Sequence, residues 1–236
     1  MFSSNPNLEL KILEVLAYFD LFSYPLTRLE IWQNLQIRAS YREVEETLQG
    51  SEWLRKRIVT RCGLWHLKKP TGDPILERAQ RYRVSVHKFK KALRFARLLR
   101  FVPWIEAVYA CNSLGFLHTK AESDIDLFII TRPGRIWTSR FFYKLIAECT
   151  GFRPKYNHAK DGLFLSFFSV AGAPMESAAL GKEDLYFSYW MTKLAPLFVR
   201  GPAHERFWNA NQWVQKMFPQ MEMIRPPMSI VLTHRD

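Results

Sequence analysis

The sequence predicts an α+β chain, and three observations carry that expectation. Near the N-terminus, apolar residues recur at helical spacing in three successive segments, and two short strand-like runs then flank a Cys-Gly turn. In the middle, Val108–Cys111, Ile125–Ile130 and Leu163–Phe168 are apolar runs of strand length. Stretches with helical periodicity separate and follow them. Helices and a hairpin first, then strands interleaved with helices, divide the chain into an N-terminal module and a mixed sheet with flanking helices.

Leu8, Ile12, Val15, Leu16 and Phe19 mark a first helix that stops near Asp20–Pro25. Thr27, with Glu30 in the first turn, caps a second over Leu29–Leu35. Ser40 with Glu43 three residues on has capping-box spacing and opens a third helix through Val44 and Leu48. Arg57–Arg61 and Leu64–Leu67 around Cys62-Gly63 read as a tight β-hairpin. Residues 1–69 thereby resemble a winged helix-turn-helix. The resemblance implies DNA contacts from Arg38, Tyr41 and Arg42 and, at the wing, from Arg55, Lys56, Arg57 and Arg61. Glu43, Glu45 and Glu46 on the third helix would repel phosphates, so a plain packing or protein-interaction module stands beside that reading.

Residues 70–101 read as a linker and a basic helix. Lys68–Pro74 has turn composition. Ile75, Ala79, Tyr82, Val86, Phe89, Leu93 and Ala96 then recur at three-and-four spacing. Between Ile75 and Phe101 nine cations, Arg81, Lys88 and Lys91 among them, face one acid, Glu77. With a net charge of +12 and a pI near 9.8, the chain attracts polyanions. The expected nucleic-acid contacts are Arg57, Arg61, Arg81, Lys88 and Lys91.

The most informative stretch is Ser123-Asp124-Ile125-Asp126-Leu127-Phe128. On a strand, residues two apart share a face, so Asp124 and Asp126 project side by side. Adjacent carboxylates repel unless a cation lies between them, and Mg²⁺ (or Mn²⁺) prefers oxygen ligands. Ten residues before Asp124, an apolar run ends at Asn112-Ser113-Leu114-Gly115.

Asn112, Ser113, Asp124 and Asp126 together resemble the nucleotidyltransferase superfamily with the DNA polymerase β-like fold. Its motif is a Gly-(Gly/Ser) turn followed by Asp-apolar-(Asp/Glu), and the match covers residues 104–169. Residues 102–236 are expected to form this domain with C-terminal helices. The resemblance implies an NTP as substrate, held at Asn112 and Ser113, with metal on Asp124 and Asp126. Arg132, a cation close to the carboxylates in sequence, is a further candidate for holding the nucleotide. It also implies transfer of a nucleoside monophosphate to an acceptor hydroxyl. The acceptor is left open among RNA, a protein side chain and a small molecule. The sequence departs from the pattern twice. Asn112 replaces the first glycine, although Asn tolerates left-handed backbone geometry best among the other residues. The later strand offers Ser166 where a third carboxylate is expected, so Asp161, just before it, is the candidate. A weakened member acting as a nucleic-acid-binding regulator is the alternative.

A helix is expected over Ile136–Cys149 and two more over Lys182–Phe198 and Ala203–Phe218. Cys62, Cys111 and Cys149 read as small core residues in a reducing compartment, and His118 as a solvated loop residue. No apolar run approaches membrane-span length and no secretion signal is read, so the expectation is a cytoplasmic protein without a membrane partner. The sequence has no Walker glycine loop, dinucleotide fingerprint or Gly-x-Ser-x-Gly elbow.

Overall fold

Residues 5–68, 72–152, 162–179, 181, 184–222 and 231–232 are described by a computed structural model. They form two compact units: residues 1–80 with 213–222, and residues 81–212 with 223–236. The division falls inside the basic helix, not at the Lys68–Pro74 segment, because the first turns of that helix pack on the N-terminal unit.

In that unit, α1 (Pro6–Asp20) buries Leu8, Ile12, Val15, Leu16 and Phe19, the residues whose spacing predicts it. The Thr27–Glu30 capping box opens α2 (Arg28–Gln33), and the Ser40–Glu43 box opens α3 (Tyr41–Gly50). A single further turn, α4 (Glu52–Arg55), follows with Ser51 as its cap. The two-residue β1 (Leu26–Thr27) adds to the hairpin of β2 (Ile58–Arg61) and β3 (Leu64–Leu67), giving a sheet in the order β1-β3-β2. The hairpin turns through Cys62 and Gly63, at φ +54° and +74°. Two positive angles are what a two-residue turn matching the strand twist requires.

The helix α5 (Pro74–Leu99) begins in this unit. Its Arg78 donates to both Glu30 carboxylate oxygens, at 2.8 and 2.9 Å, and to the Pro25 carbonyl, while its guanidinium lies 4.2 Å from the Tyr24 ring centroid. Burial alone would raise the Glu30 carboxyl, but hydrogen bonds and charge from Arg78, with bonds from Thr27, hold it below its ordinary value. The sequence groups Arg78 with the basic helix surface; the structure assigns it to an ion pair.

The second unit is built on a five-stranded sheet. Its strands are β4 (Ile105–Ala110), β5 (Ile125–Thr131), β6 (Leu163–Val170), β7 (Ala195–Arg200) and β8 (Val231–Leu232), in the order β6-β5-β4-β7-β8. The β5–β6 and β7–β8 pairs are parallel and the others antiparallel. A one-turn helix, α6 (Asn112–Gly115), follows β4. On one sheet face, α5 and α7 (Ile136–Cys149) enclose Ala92, Phe95, Leu99, Ile125, Leu127, Ile129 and Tyr143. On the other, Tyr109 and Phe128 meet Trp190 of α8 (Leu185–Thr192) and Phe207 of α9 (Ala203–Ala210). A last helix, α10 (Gln212–Met217), ends in the N-terminal unit's share of the chain, and Met175–Ala178 forms a 3₁₀ turn.

Three expectations are corrected. Lys182–Phe198 is not one helix: α8 ends at Thr192, and Ala195–Arg200 is an interior strand. Pro196 lies in that strand, and the β4–β7 register shifts beside it, the setting that tolerates a residue without an N–H. The core face of α5 is Ser85, Lys88, Ala92, Phe95, Ala96 and Leu99, whereas Ala79 and Tyr82 are exposed. Of the cysteines, only Cys111 is buried; Cys62 and Cys149 are exposed. Among the described residues, no helix is long and apolar enough to cross a membrane.

Candidate functional site

Asp124 directly precedes β5 and Asp126 is its second residue; both are half-buried and alternate with the buried Ile125 and Leu127. Asp126 shares the sheet face of Phe128, two residues on, whose ring meets Trp190 at 5.4 Å. Burial raises the Asp124 carboxyl above its ordinary value, and the neighbouring charge of Asp126 raises it further. Lys88 draws it partly back down. Burial first, and then the same two carboxylates, push the Cys111 thiol at the end of β4 well up.

Asn112 adopts φ +52°, in the left-handed region that Asn tolerates better than other non-glycine residues. That turn points its carboxamide back over the neighbouring strand. The Asn112 Nδ2 donates to Asp126 Oδ2 at 2.6 Å, and its Oδ1 accepts from Trp190 Nε1 at 2.8 Å. The amide therefore occupies one carboxylate oxygen with a neutral donor. Ser113 is half-buried; its hydroxyl lies 3.4 Å from Thr119 Oγ1, and its carbonyl accepts from the His118 N–H at 2.8 Å. His118 is 2% exposed and stacks on Phe116, so it is a buried residue, contrary to the solvated role expected. Gly115 ends the turn where a Cβ would collide with the Lys193 carbonyl oxygen.

Beneath the Asp-bearing strand, Lys88 is 1% exposed. Its ammonium donates to the Ala121 carbonyl at 3.1 Å and to that of Ser123. Ser85 Oγ accepts from the Thr119 N–H at 2.8 Å. These two polar side chains on the core face of α5 fix the segment that delivers Asp124. Lys88 is therefore a buried positioning residue, not the surface phosphate contact expected of it.

Other expected site residues lie apart from the carboxylates. Arg132 follows the far end of β5, six residues beyond Asp126, or about 20 Å along a strand. There it shares Glu106 with Arg206. Arg57 is exposed but stacks on Trp53 and donates to its carbonyl, and Arg61 is paired with Asp73. Arg81 and Lys91 are half-buried, the latter 6.0 Å from the centroid of Phe152. Asp161 and the Ser166 side chain lie outside the described residues. In the β5–β6 ladder the partner of Asp126 is Phe164, and Ser166 falls at the register shift after Leu165. Among the described residues no cluster of three His, Cys, Asp or Glu side chains is suited to a metal. Trp190, which completes the site by orienting Asn112, is 78 residues away in sequence, and no local signal marks it.

As a donor set, two half-buried carboxylates, one with a raised proton affinity, suit a hard divalent cation. No protein-family profile, curated protein or solved structure matches this chain.

Proposed function

We propose that the chain is a Mg²⁺-dependent nucleotidyltransferase of the DNA polymerase β-like type, moving a nucleoside monophosphate from an NTP to an acceptor hydroxyl. The observation that carries this reading is the side-by-side placement of Asp124 and Asp126, with the Asp124 carboxyl raised by burial and by its neighbour. The left-handed Asn112 that opens α6 just after β4 adds support, since it follows the family's order of strand, turn, Asp-bearing strand. Mg²⁺, or Mn²⁺, bound by Asp124 and Asp126 would neutralise the pair and stabilise charge developing on the phosphate oxygens. Asn112 holds the Asp126 carboxylate in orientation, and Lys88 fixes the segment before Asp124. The acceptor class stays open among RNA, protein and small molecule.

The N-terminal unit, three helices, a short fourth and a hairpin, is read as a winged-helix module. Arg28 pairs with Glu45 and Arg42 with Glu46, so charges on and beside α3 are matched locally. That pattern favours a packing or protein-interaction role over phosphate contact.

A second reading has an observation of its own. The Asn112 amide already occupies Asp126 Oδ2, as in a site that has lost its cation and become a regulatory fold. Incubation with each labelled NTP, Mg²⁺ or Mn²⁺, and pooled RNA and protein acceptors separates the two. Transfer is expected in wild type and absent in Asp124→Asn and Asp126→Asn. No incorporation by wild type under any of these conditions favours the second reading.

A further inference from the structure

The outward faces of α5 and α7 carry features that the carboxylate site does not use. Both helices cover the same face of the sheet, where Phe95 meets Tyr143 with ring centroids 5.1 Å apart, so their solvent faces point to the same side of this unit. On α5, opposite its core face, Arg83, His87, Lys90, Arg94 and Arg97 are all exposed. Their steps of four, three, four and three make one row about 21 Å long. On α7, opposite the buried Ser139, Tyr143 and Ala147, Trp137, Phe141 and Leu145 are 79, 61 and 45% exposed. They form a second row at four-residue spacing, with Lys144 exposed beside it and the Arg140 guanidinium 5.2 Å from the Trp137 ring centroid.

We propose that this face docks peripherally on an anionic lipid surface, with Trp137, Phe141 and Leu145 entering the headgroup boundary and the α5 cations meeting lipid phosphates. Neither row suffices alone. A short apolar row gives marginal, reversible binding, and stable attachment takes a second signal such as a basic patch. Here both lie on one face. Trp is favoured where hydrocarbon meets headgroups, and Leu145 and Phe141 extend its apolar contact by two helical turns. The cation row by itself would equally suit a nucleic acid. However, a helix-borne row that includes leucine offers a polynucleotide little, since bases stack on aromatic faces.

Flotation of the full-length chain with phosphatidylcholine vesicles, and with vesicles that also contain phosphatidylglycerol, tests this. Binding is expected only to the anionic vesicles, with a blue shift of tryptophan emission that Trp137→Phe diminishes. Each cation near such a surface contributes about fivefold in affinity, so Arg94→Ala/Arg97→Ala should weaken binding roughly 25-fold. Trp137→Ser/Phe141→Ser, whose altered side chains are solvent-exposed, should keep the wild-type melting temperature and lose the attachment that persists in salt. Absence of binding to anionic vesicles at low salt overturns the proposal, as does binding indifferent to Trp137→Ser/Phe141→Ser. Tight binding of a single-stranded RNA that Arg94→Ala/Arg97→Ala abolishes, and that anionic vesicles cannot displace, assigns the face to nucleic acid and also overturns the proposal.

Discussion

Asn112 does two things that no other side chain would combine. It accepts a left-handed backbone, and its amide spans Asp126 and Trp190. Asn112→Gly relieves the backbone strain but leaves the Trp190 N–H without this partner. The expected net cost is about 1 kcal/mol, measured by urea unfolding. The same variant removes the neutral amide donor from Asp126 Oδ2 and should bind Mg²⁺ and NTP more tightly than wild type. Asp124 has the opposite signature. Its folded-state pKa is raised, so the folded state holds extra proton, and stability falls as pH rises from the ordinary carboxylate range through the raised value. Asp124→Asn removes that penalty and should raise the metal-free melting temperature at neutral pH, while abolishing metal binding. The paired aspartates and the asparagine turn were legible because strand alternation and backbone sterics act locally. The Asn112–Trp190 bond was not, because it joins residues brought together only by the sheet.

Among the elements, the capped helices and the Cys62-Gly63 hairpin follow from local chemistry and are found where it predicts them. The helix α5 shows where periodicity misleads. Its core face carries Ser85 and Lys88, which a hydrophobicity pattern reads as solvent-facing; of the apolar stripe, Phe89, Leu93 and Ala96 do pack on the core, whereas Ala79 and Tyr82 are exposed. Both polar residues are buried because backbone groups of the segment leading into β5 need partners. Lys88→Met should therefore cost about 2–4 kcal/mol, by leaving the Ala121 and Ser123 carbonyls without their donor. A surface lysine in the same position would change stability by less than about 0.5 kcal/mol. Strand β7 was missed for a related reason: Pro196 argues against a strand interior, and only the register shift against β4 accommodates it. Gly115→Ala, which drives a methyl into the Lys193 backbone at the end of α6, should destabilise by at least about 2 kcal/mol in the same assay.

For the molecule as a whole, the α+β class and the charge were legible, whereas the division into units was not. Residues 213–222 join the N-terminal unit from the far end of the chain, as where Gln220 donates to the Ile37 carbonyl at 2.6 Å. No composition signal announces such a return. The second unit also carries a titratable group in its core. Burial lowers the pKa of His204, whose Nδ1 lies 3.0 Å from the Tyr109 hydroxyl, and burial likewise keeps that hydroxyl protonated. With the folded pKa below the unfolded one, stability should decline as pH falls through the ordinary histidine range near 6.5 and on to the lowered value. His204→Phe should flatten that slope in thermal melts taken across the window.

The most direct measurement is calorimetric titration of Mn²⁺ into the metal-free chain, with and without a non-hydrolysable NTP analogue, for wild type, Asp124→Asn and Asp126→Asn. A saturable site in wild type, tightened by the nucleotide and lost in both variants, is the expected result. Wild type that takes up no ion at millimolar concentration with nucleotide present, or variants that bind as wild type does, would contradict the assignment of Asp124 and Asp126 as the metal-holding pair.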